Sequence, residues 1–244
     1  MSIRPTTIPV VALCVLWSSA CLAQEDTEFF LTPYVWAIAI DQRIDNDLLP
    51  TPIDLDTSFG DLLDNLDGAF LLAFKAERGR WALSSDLAFL KVSPESDAVL
   101  LDSNTEATSR IWDALARYEV IEDRFEVGVG ARWVDIDVDV TTSSPVVPDP
   151  NLDADYVDFI VALQYVADLS ERWQMLLGGD VSLGGDTDGM WMGQFLLEYE
   201  WTETRSVLFG YRRLELDLKG TGRLGETSTD IDIDGLGIGL RFQF

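Results

Sequence analysis

The feature that most constrains this chain is an alternation of period two, large apolar then small or polar, recurring in blocks of roughly ten residues. Phe125-Glu126-Val127-Gly128-Val129-Gly130-Ala131-Arg132-Trp133 puts its large residues on one face and Glu, Gly and Arg on the other. Leu236, Ile238, Leu240, Phe242 and Phe244 alternate with Gly237, Gly239, Arg241 and Gln243, and Val157 to Tyr165 and Trp191 to Trp201 behave alike. Only a strand sends successive side chains to opposite faces. No window after residue 23 is long and apolar enough for a membrane helix. Apolar-out, polar-in alternation punctuated by turns predicts a transmembrane β-barrel.

A soluble barrel or sandwich with its apolar face inward would show the same period. Two features favour the membrane form. The polar face is rich in Gly, Ala and Ser, as a crowded lumen requires. The turns also differ between the two ends: Arg78-Gly79-Arg80, Glu122-Asp123-Arg124, Ser170-Glu171-Arg172 and Thr202-Glu203-Thr204 are tight, and the intervening connections are mostly longer and acidic. Aromatic residues ring the tight turns (Phe74, Trp81, Tyr118, Phe125, Tyr165, Trp173, Tyr199, Trp201), which predicts one interfacial girdle there, with Phe242 and Phe244 at its level.

The blocks place strands near 29–41, 68–78, 81–93, 107–121, 125–140, 156–168, 173–184, 190–201, 205–219 and 228–244. The expected fold is therefore all-β, a closed antiparallel up-and-down barrel of about ten strands, with eight or twelve also compatible. Two strands change phase midway, at Trp133-Val134 and at Arg212-Arg213-Leu214, and a β-bulge at that height would restore the alternation. In the first long connection Phe59, Leu62, Leu63 and Leu66 fall at i, i+3, i+4, i+7 behind Thr57 or Ser58. This fits a short amphipathic helix, either capping the rim or folding in as a partial plug, with an ordered loop as the alternative.

Residues 1–23 read as a cleaved signal peptide: Arg4, then an apolar run from Ile8 to Trp17, then small residues ending at Ala23. A lipoprotein cut before Cys21 is the alternative. Residues 24–244 form the barrel domain. Both cysteines, Cys14 and Cys21, leave with the leader, so no disulfide is expected. The formal charge of −26 argues against nucleic acid as a partner. Disorder is excluded by a hydrophobic content of 47%.

Little catalytic chemistry is available. The chain has no histidine. The barrel enzymes of outer membranes (omptin-like proteases, phospholipase A, lipid A acyl-ester hydrolases) use His as base or orienter, so the chain is expected not to be an enzyme. Without His or mature Cys, no metal site and no cofactor are expected. Asp230-Ile231-Asp232-Ile233-Asp234-Gly235 begins like a calcium loop, but its twelfth position is Arg241 and the segment alternates as a strand. Asp135, Asp137 and Asp139 likewise put three carboxylates on one strand face; both trios read as solvated charges, with weak attraction of Ca²⁺ or Mg²⁺ near the outer rim as the alternative.

The polar strand faces carry the candidate functional residues: Lys75, Glu77, Asp86, Asp113, Arg117, Glu119, Glu126, Arg132, Asp158, Asp180, Glu198, Glu200, Arg212 and Arg241. In a lumen they would form either a packing network or the lining of a narrow, cation-preferring pore.

Several stretches resemble a family of small, largely uncharacterised proteobacterial outer-membrane β-barrel proteins. These run from Asp54 through Asp61-Leu62-Leu63-Asp64-Asn65-Leu66, from Ala73 through Glu77-Arg78-Gly79-Arg80-Trp81, then Leu169-Ser170-Glu171-Arg172-Trp173, Gly179-Asp180-Val181 and Gly210-Tyr211-Arg212-Arg213-Leu214. The ending Gly239-Leu240-Arg241-Phe242-Gln243-Phe244 resembles the C-terminal signal read by the barrel-assembly machinery, with Gly237 departing from its upstream polar position. The resemblance implies a monomeric Gram-negative outer-membrane barrel whose partners are outer-membrane lipid and that machinery, and it carries over no catalytic residue. Function is expected to be structural or that of a narrow pore; the alternative is surface binding or adhesion through acidic external loops.

Overall fold

The computed structural model describes residues 27–46, 53–93, 95–96, 103–142, 151–222 and 225–244. The expected leader, residues 1–23, lies outside them. The elements are β1 (Glu28–Asn46), β2 (Ile53–Thr57), α1 (Phe59–Asp64), β3 (Leu66–Arg78), β4 (Trp81–Val92), β5 (Glu95–Ser96), β6 (Ser103–Ile121), β7 (Phe125–Thr142), β8 (Asn151–Ser170), β9 (Trp173–Gly185), β10 (Gly189–Thr202), β11 (Arg205–Gly222) and β12 (Gly225–Gln243). Ten of the strands form the wall in the order β1-β3-β4-β6-β7-β8-β9-β10-β11-β12, and antiparallel pairing of β12 with β1 closes it. β2 and β5 are short additions beside β1 and β6. Phe244 ends the chain against Phe29: each backbone N–H donates to the other's carbonyl, at 2.9 and 3.3 Å.

The expected bulges are absent, and the reason reorganises the picture of the barrel. β7 pairs without a register shift to β6 from Glu126 to Thr142, and to β8 from Phe125 to Asp139. β11 likewise runs in unbroken register with β12 and, past Arg212, with β10. One parity therefore faces inward along the whole strand. On β7 the inward residues are Gly128, Gly130 and Arg132 and then Val134 and Ile136; the outward ones are Val127, Val129, Ala131 and Trp133 and then Asp135 and Asp137. On β11, Tyr211 faces out, and beyond it Arg213, Glu215 and Asp217 take the outside and Leu214, Leu216 and Leu218 the inside. The phase change in the sequence is a change of solvent. Below it the barrel is apolar outside, as lipid demands. Above it the barrel has a buried apolar core and a charged surface, as water demands.

A second aromatic girdle marks the boundary. Trp112 and Trp133 sit directly opposite each other on β6 and β7. Trp133 Nε1 donates to Asp155 at 3.2 Å, Tyr211 OH donates to Asp234 at 2.6 Å, and the Arg213 guanidinium lies 5.8 Å from the Trp191 ring. Amphipathic rings with one end wet suit an interface. Eight residues separate Phe125 in the inner girdle from Trp133 in the outer one, about 27 Å of strand, or roughly 21 Å of height at a tilt near 40°. That is close to the thickness such barrels present to lipid.

The helix forms where its periodicity placed it, but shorter, with Leu66 already in β3. Ser58 caps it: the Asp61 N–H donates to the Ser58 hydroxyl and the Ser58 N–H donates to the Asp61 carboxylate. The Ser58 hydroxyl also donates to the Asp61 carboxylate at 2.6 Å, and this bond, with that from the Ser58 N–H, holds the Asp61 carboxyl below its ordinary range. β2 runs back along the outer part of β1, from Ile44 to Ile40, and α1 then packs on β1 just before β3 begins, with Leu62 buried and Phe59 and Leu63 exposed.

Close strand packing makes Gly130 sensitive. A Cβ there would stand 2.0 Å from the Ala114 carbonyl oxygen, a backbone atom that cannot swing away. Gly130→Ala is expected to destabilise the barrel by about 1–3 kcal/mol, the usual cost of overpacking, read from urea unfolding in lipid vesicles. An unchanged midpoint would mean that β6 and β7 stand further apart.

Candidate functional site: the barrel interior

The interior is layered. Nearest the outer end is the apolar core: Val134, Met190, Leu214, Leu216, Leu218, Ile231 and Ile233 are buried, with Trp36, Ile38, Ile40, Ile111, Ile136, Tyr156 and Met192 packed against them. Val134 comes from β7 and Ile231 and Ile233 from β12, strands five places apart in a ring of ten, so the cluster reaches across the lumen.

Beneath it lies a layer of ion pairs. Arg132, 1% exposed, forks twice. Its Nε and Nη2 donate to the two Asp113 oxygens at 2.7 and 2.8 Å, and its Nη1 and Nη2 donate to the two Asp180 oxygens at 3.0 Å each. Met190 and Met192 sulfurs cover the guanidinium at 3.5 and 3.7 Å. Bidentate pairing of a planar guanidinium with carboxylates is the strongest form of ion pair. Arg212 makes a second bridge, from β11 to β4 and β1. It donates to Asp86 at 2.9 Å and to the Tyr34 hydroxyl at 3.0 Å, and Tyr34 donates to Asp86 at 2.6 Å. The rings of Tyr34 and Trp36 each lie 5.3 Å from the Arg212 guanidinium.

The third layer is a cavity of about 840 Å³ reaching the tight turns, where Asp123, Arg124, Glu171, Arg172 and Glu203 line it. Lys75 pairs with Glu77 and, at 2.8 Å, with Glu126. Arg241 donates to Glu198 at 2.5 Å. Arg117 Nε donates to Ser84 at 2.9 Å, while its Nη1 stands 3.9 Å from Glu126 Oε2 and both of those atoms are buried without a hydrogen bond. Glu119 accepts from the Asp123 N–H at the turn, and Glu200 lines the wall. In all, twelve carboxylates and six cations line this space, so its own field favours cations.

Of the fourteen candidate residues, thirteen thus lie in the ion-pair layer or around the cavity. Asp158 does not join them. Fully buried, it accepts from the backbone N–H groups of Asp186 and Thr187 at 2.9 and 3.0 Å and from the hydroxyls of Ser182 and Thr187 at 2.5 Å, pinning the β9–β10 turn. None of Phe59, Leu62, Leu63 or Leu66 lines the cavity. Sequence reasoning missed Tyr34, which sits in a strand apolar on both faces, and the two methionines, which share the inward face of β10 with Gln194 and Glu198 but carry no charge to mark them. Among the described residues no cluster of metal-ligating side chains occurs; the side chain of Asp139 is not among those described.

No known protein family matches the chain, and no curated protein matches it. Solved structures do. The outer membrane protease OmpT from Escherichia coli superposes with a TM-score of 0.56 at 9% identity, covering 91% of this chain and 98% of that one. A Pseudomonas aeruginosa FadL homologue (TM-score 0.40, 10% identity, 91% and 90% covered) and Ail of Yersinia pestis (0.38, 12%, 89% and 99%) also match. The likeness to OmpT shows the fold, a closed antiparallel β-barrel. It says nothing of chemistry.

Proposed function

We propose that this protein is a monomeric, non-enzymatic barrel of the Gram-negative outer membrane, exported by a cleaved leader and closed at rest, whose only conductive route prefers cations. The observation that carries this reading is the sequence of layers inside the barrel: an acidic cavity open at the tight turns, capped by the Arg132 and Arg212 ion pairs and then by an apolar cluster crossing from β7 to β12. Carboxylate linings favour cations, and an apolar constriction closes a pore by excluding water. The absence of histidine supports a role without catalysis. The exposed Phe244 beside β1 supports insertion through the barrel-assembly machinery.

Planar-bilayer recording of the refolded protein tests it. The expected record is long closed periods with small cation-selective openings, and Leu214→Ala with Ile233→Ala is expected to raise open probability without changing selectivity. Anion selectivity, or a wide and permanently open wild-type pore, would overturn the proposal.

A second reading, surface binding, is favoured by one observation. Above the outer girdle Asp41, Asp232 and Glu215 sit side by side across β1, β12 and β11, with Arg213 pairing to the latter two. If this face binds a partner, Asp41→Asn with Asp232→Asn will reduce cell adherence and leave conductance unchanged.

A further inference from the structure

The wall has one seam where pairing stops. β1 pairs with β12 from Phe30 to Asn46. Its other edge pairs with β3 only from Glu28 to Pro33, and with β2 only from Ile40 to Ile44. Among the described residues, that edge has no strand partner from Tyr34 to Ala39. The facing edge of β3, from Leu66 to Leu71, has none either, although β3 stays paired with β4 on its far side. Pro33, which lacks an N–H, stands where the ladder ends. β2 and α1 pass over the outer end of the gap, with α1 packed on β1.

The height of the gap is fixed by its neighbours. On the β1 side, outward Val35 and Ala37 pair with the lipid-facing Ile238 and Leu236. On the β3 side, Phe70 pairs with Phe89, and the Arg110 guanidinium lies 5.9 Å from the Phe89 ring. The gap therefore straddles the outer girdle: Val35 and Ala37 stand beside its lipid-facing side, and Phe70 lies in the row of the charged pair Arg110–Asp135. Behind it, Trp36 and Ile38 point inward onto the apolar core, and Ala69 on β3 is exposed although its register faces it inward. Lipid outside and apolar core inside are separated there by no paired wall.

A free sheet edge facing hydrocarbon is costly, because lipid offers its backbone groups no partner, and at membrane depth such edges persist only against protein or polar matter. A molecule that joins a hydrocarbon chain to hydrogen-bonding ester groups meets both needs, and lipid of the surrounding leaflet is at hand. We propose that the gap between β1 and β3 is a lateral port through which the acyl chain of a surrounding lipid reaches the apolar core behind Trp36, with its ester region against the free strand edges. This proposal stands apart from conduction, since it needs neither the acidic cavity nor an opening of the core.

Tryptophan quenching tests it. A variant keeping Trp36 and carrying Phe in place of the other tryptophans is refolded into vesicles of phospholipid brominated along the acyl chain. The control, Leu196→Trp in a background with Trp36→Phe as well, puts an indole on the lumen wall in the same register row, reached from Trp36 through Gly237 and Gly210, where both strand edges are paired. Quenching of Trp36 is expected to be severalfold stronger than that of the control, and Ala69→Phe, which fills the inner side of the gap, is expected to reduce it. Equal quenching of the two indoles, in proteins shown to be folded by far-UV circular dichroism, would overturn the port. Quenching only by added brominated fatty acid in unbrominated vesicles would overturn the assignment to lipid.

Discussion

Arg132→Met is expected to lower the stability of the barrel by about 3–5 kcal/mol, the cost of leaving buried charges without their partner. Asp113 and Asp180 are nearly as buried as Arg132, and both would then face each other across the space the guanidinium occupied. Methionine keeps much of the volume, so the loss reports charge rather than a cavity. Adding Asp113→Asn and Asp180→Asn to Arg132→Met removes the orphaned charges and is expected to restore most of the stability. Urea unfolding in vesicles reads both. If the single variant matches wild type, the two forks do not form.

The second large effect depends on height along the outer wall. Val129 is 62% exposed and faces lipid near the middle of the apolar band. Val129→Arg is expected to cost about 2–4 kcal/mol, as for cationic residues at the midplane of other barrels. Asp137 stands eight positions further along the same outward face, above the Trp112–Trp133 pair. Asp137→Arg is expected to cost close to nothing, because that face is in water. Like costs at the two positions would place both in lipid, or both out of it.

Much of this was legible in the sequence, because a membrane wall imposes its alternation strand by strand. All ten wall strands lie where period two put them, and the tight turns are where the charged triplets put them. The outer ends of the strands were not legible in the same way. At Trp133-Val134 a bulge and a reversal of solvent produce the same change of parity, and only the pairing of β7 with both neighbours distinguishes them. The second girdle was hidden for the same reason, since Trp112, Trp133 and Trp191 read as ordinary lipid-facing residues until the charges beyond them are seen to share their face. Inside, alternation assigned Arg132, Asp113 and Asp180 to one face but could not say which would meet: that follows from three strands β6, β7 and β9 being brought round one lumen. β1 gave the weakest signal. Tyr34, Trp36, Ile38 and Ile40 face inward and Leu31, Pro33, Val35 and Ala37 outward, so both faces are apolar and neither the Arg212 bridge nor the seam could be read from it.

The strands keep one register through the outer girdle while the solvent on each side changes. Nitroxide labels placed singly from residue 127 to 137 of β7, with accessibility to oxygen and to a water-soluble nickel reagent, test it directly. Odd positions up to 133 are expected to favour oxygen, 135 and 137 to favour the nickel reagent, and even positions to stay inaccessible throughout. Oxygen-accessible labels at 134 and 136, the pattern of a bulge, would contradict it.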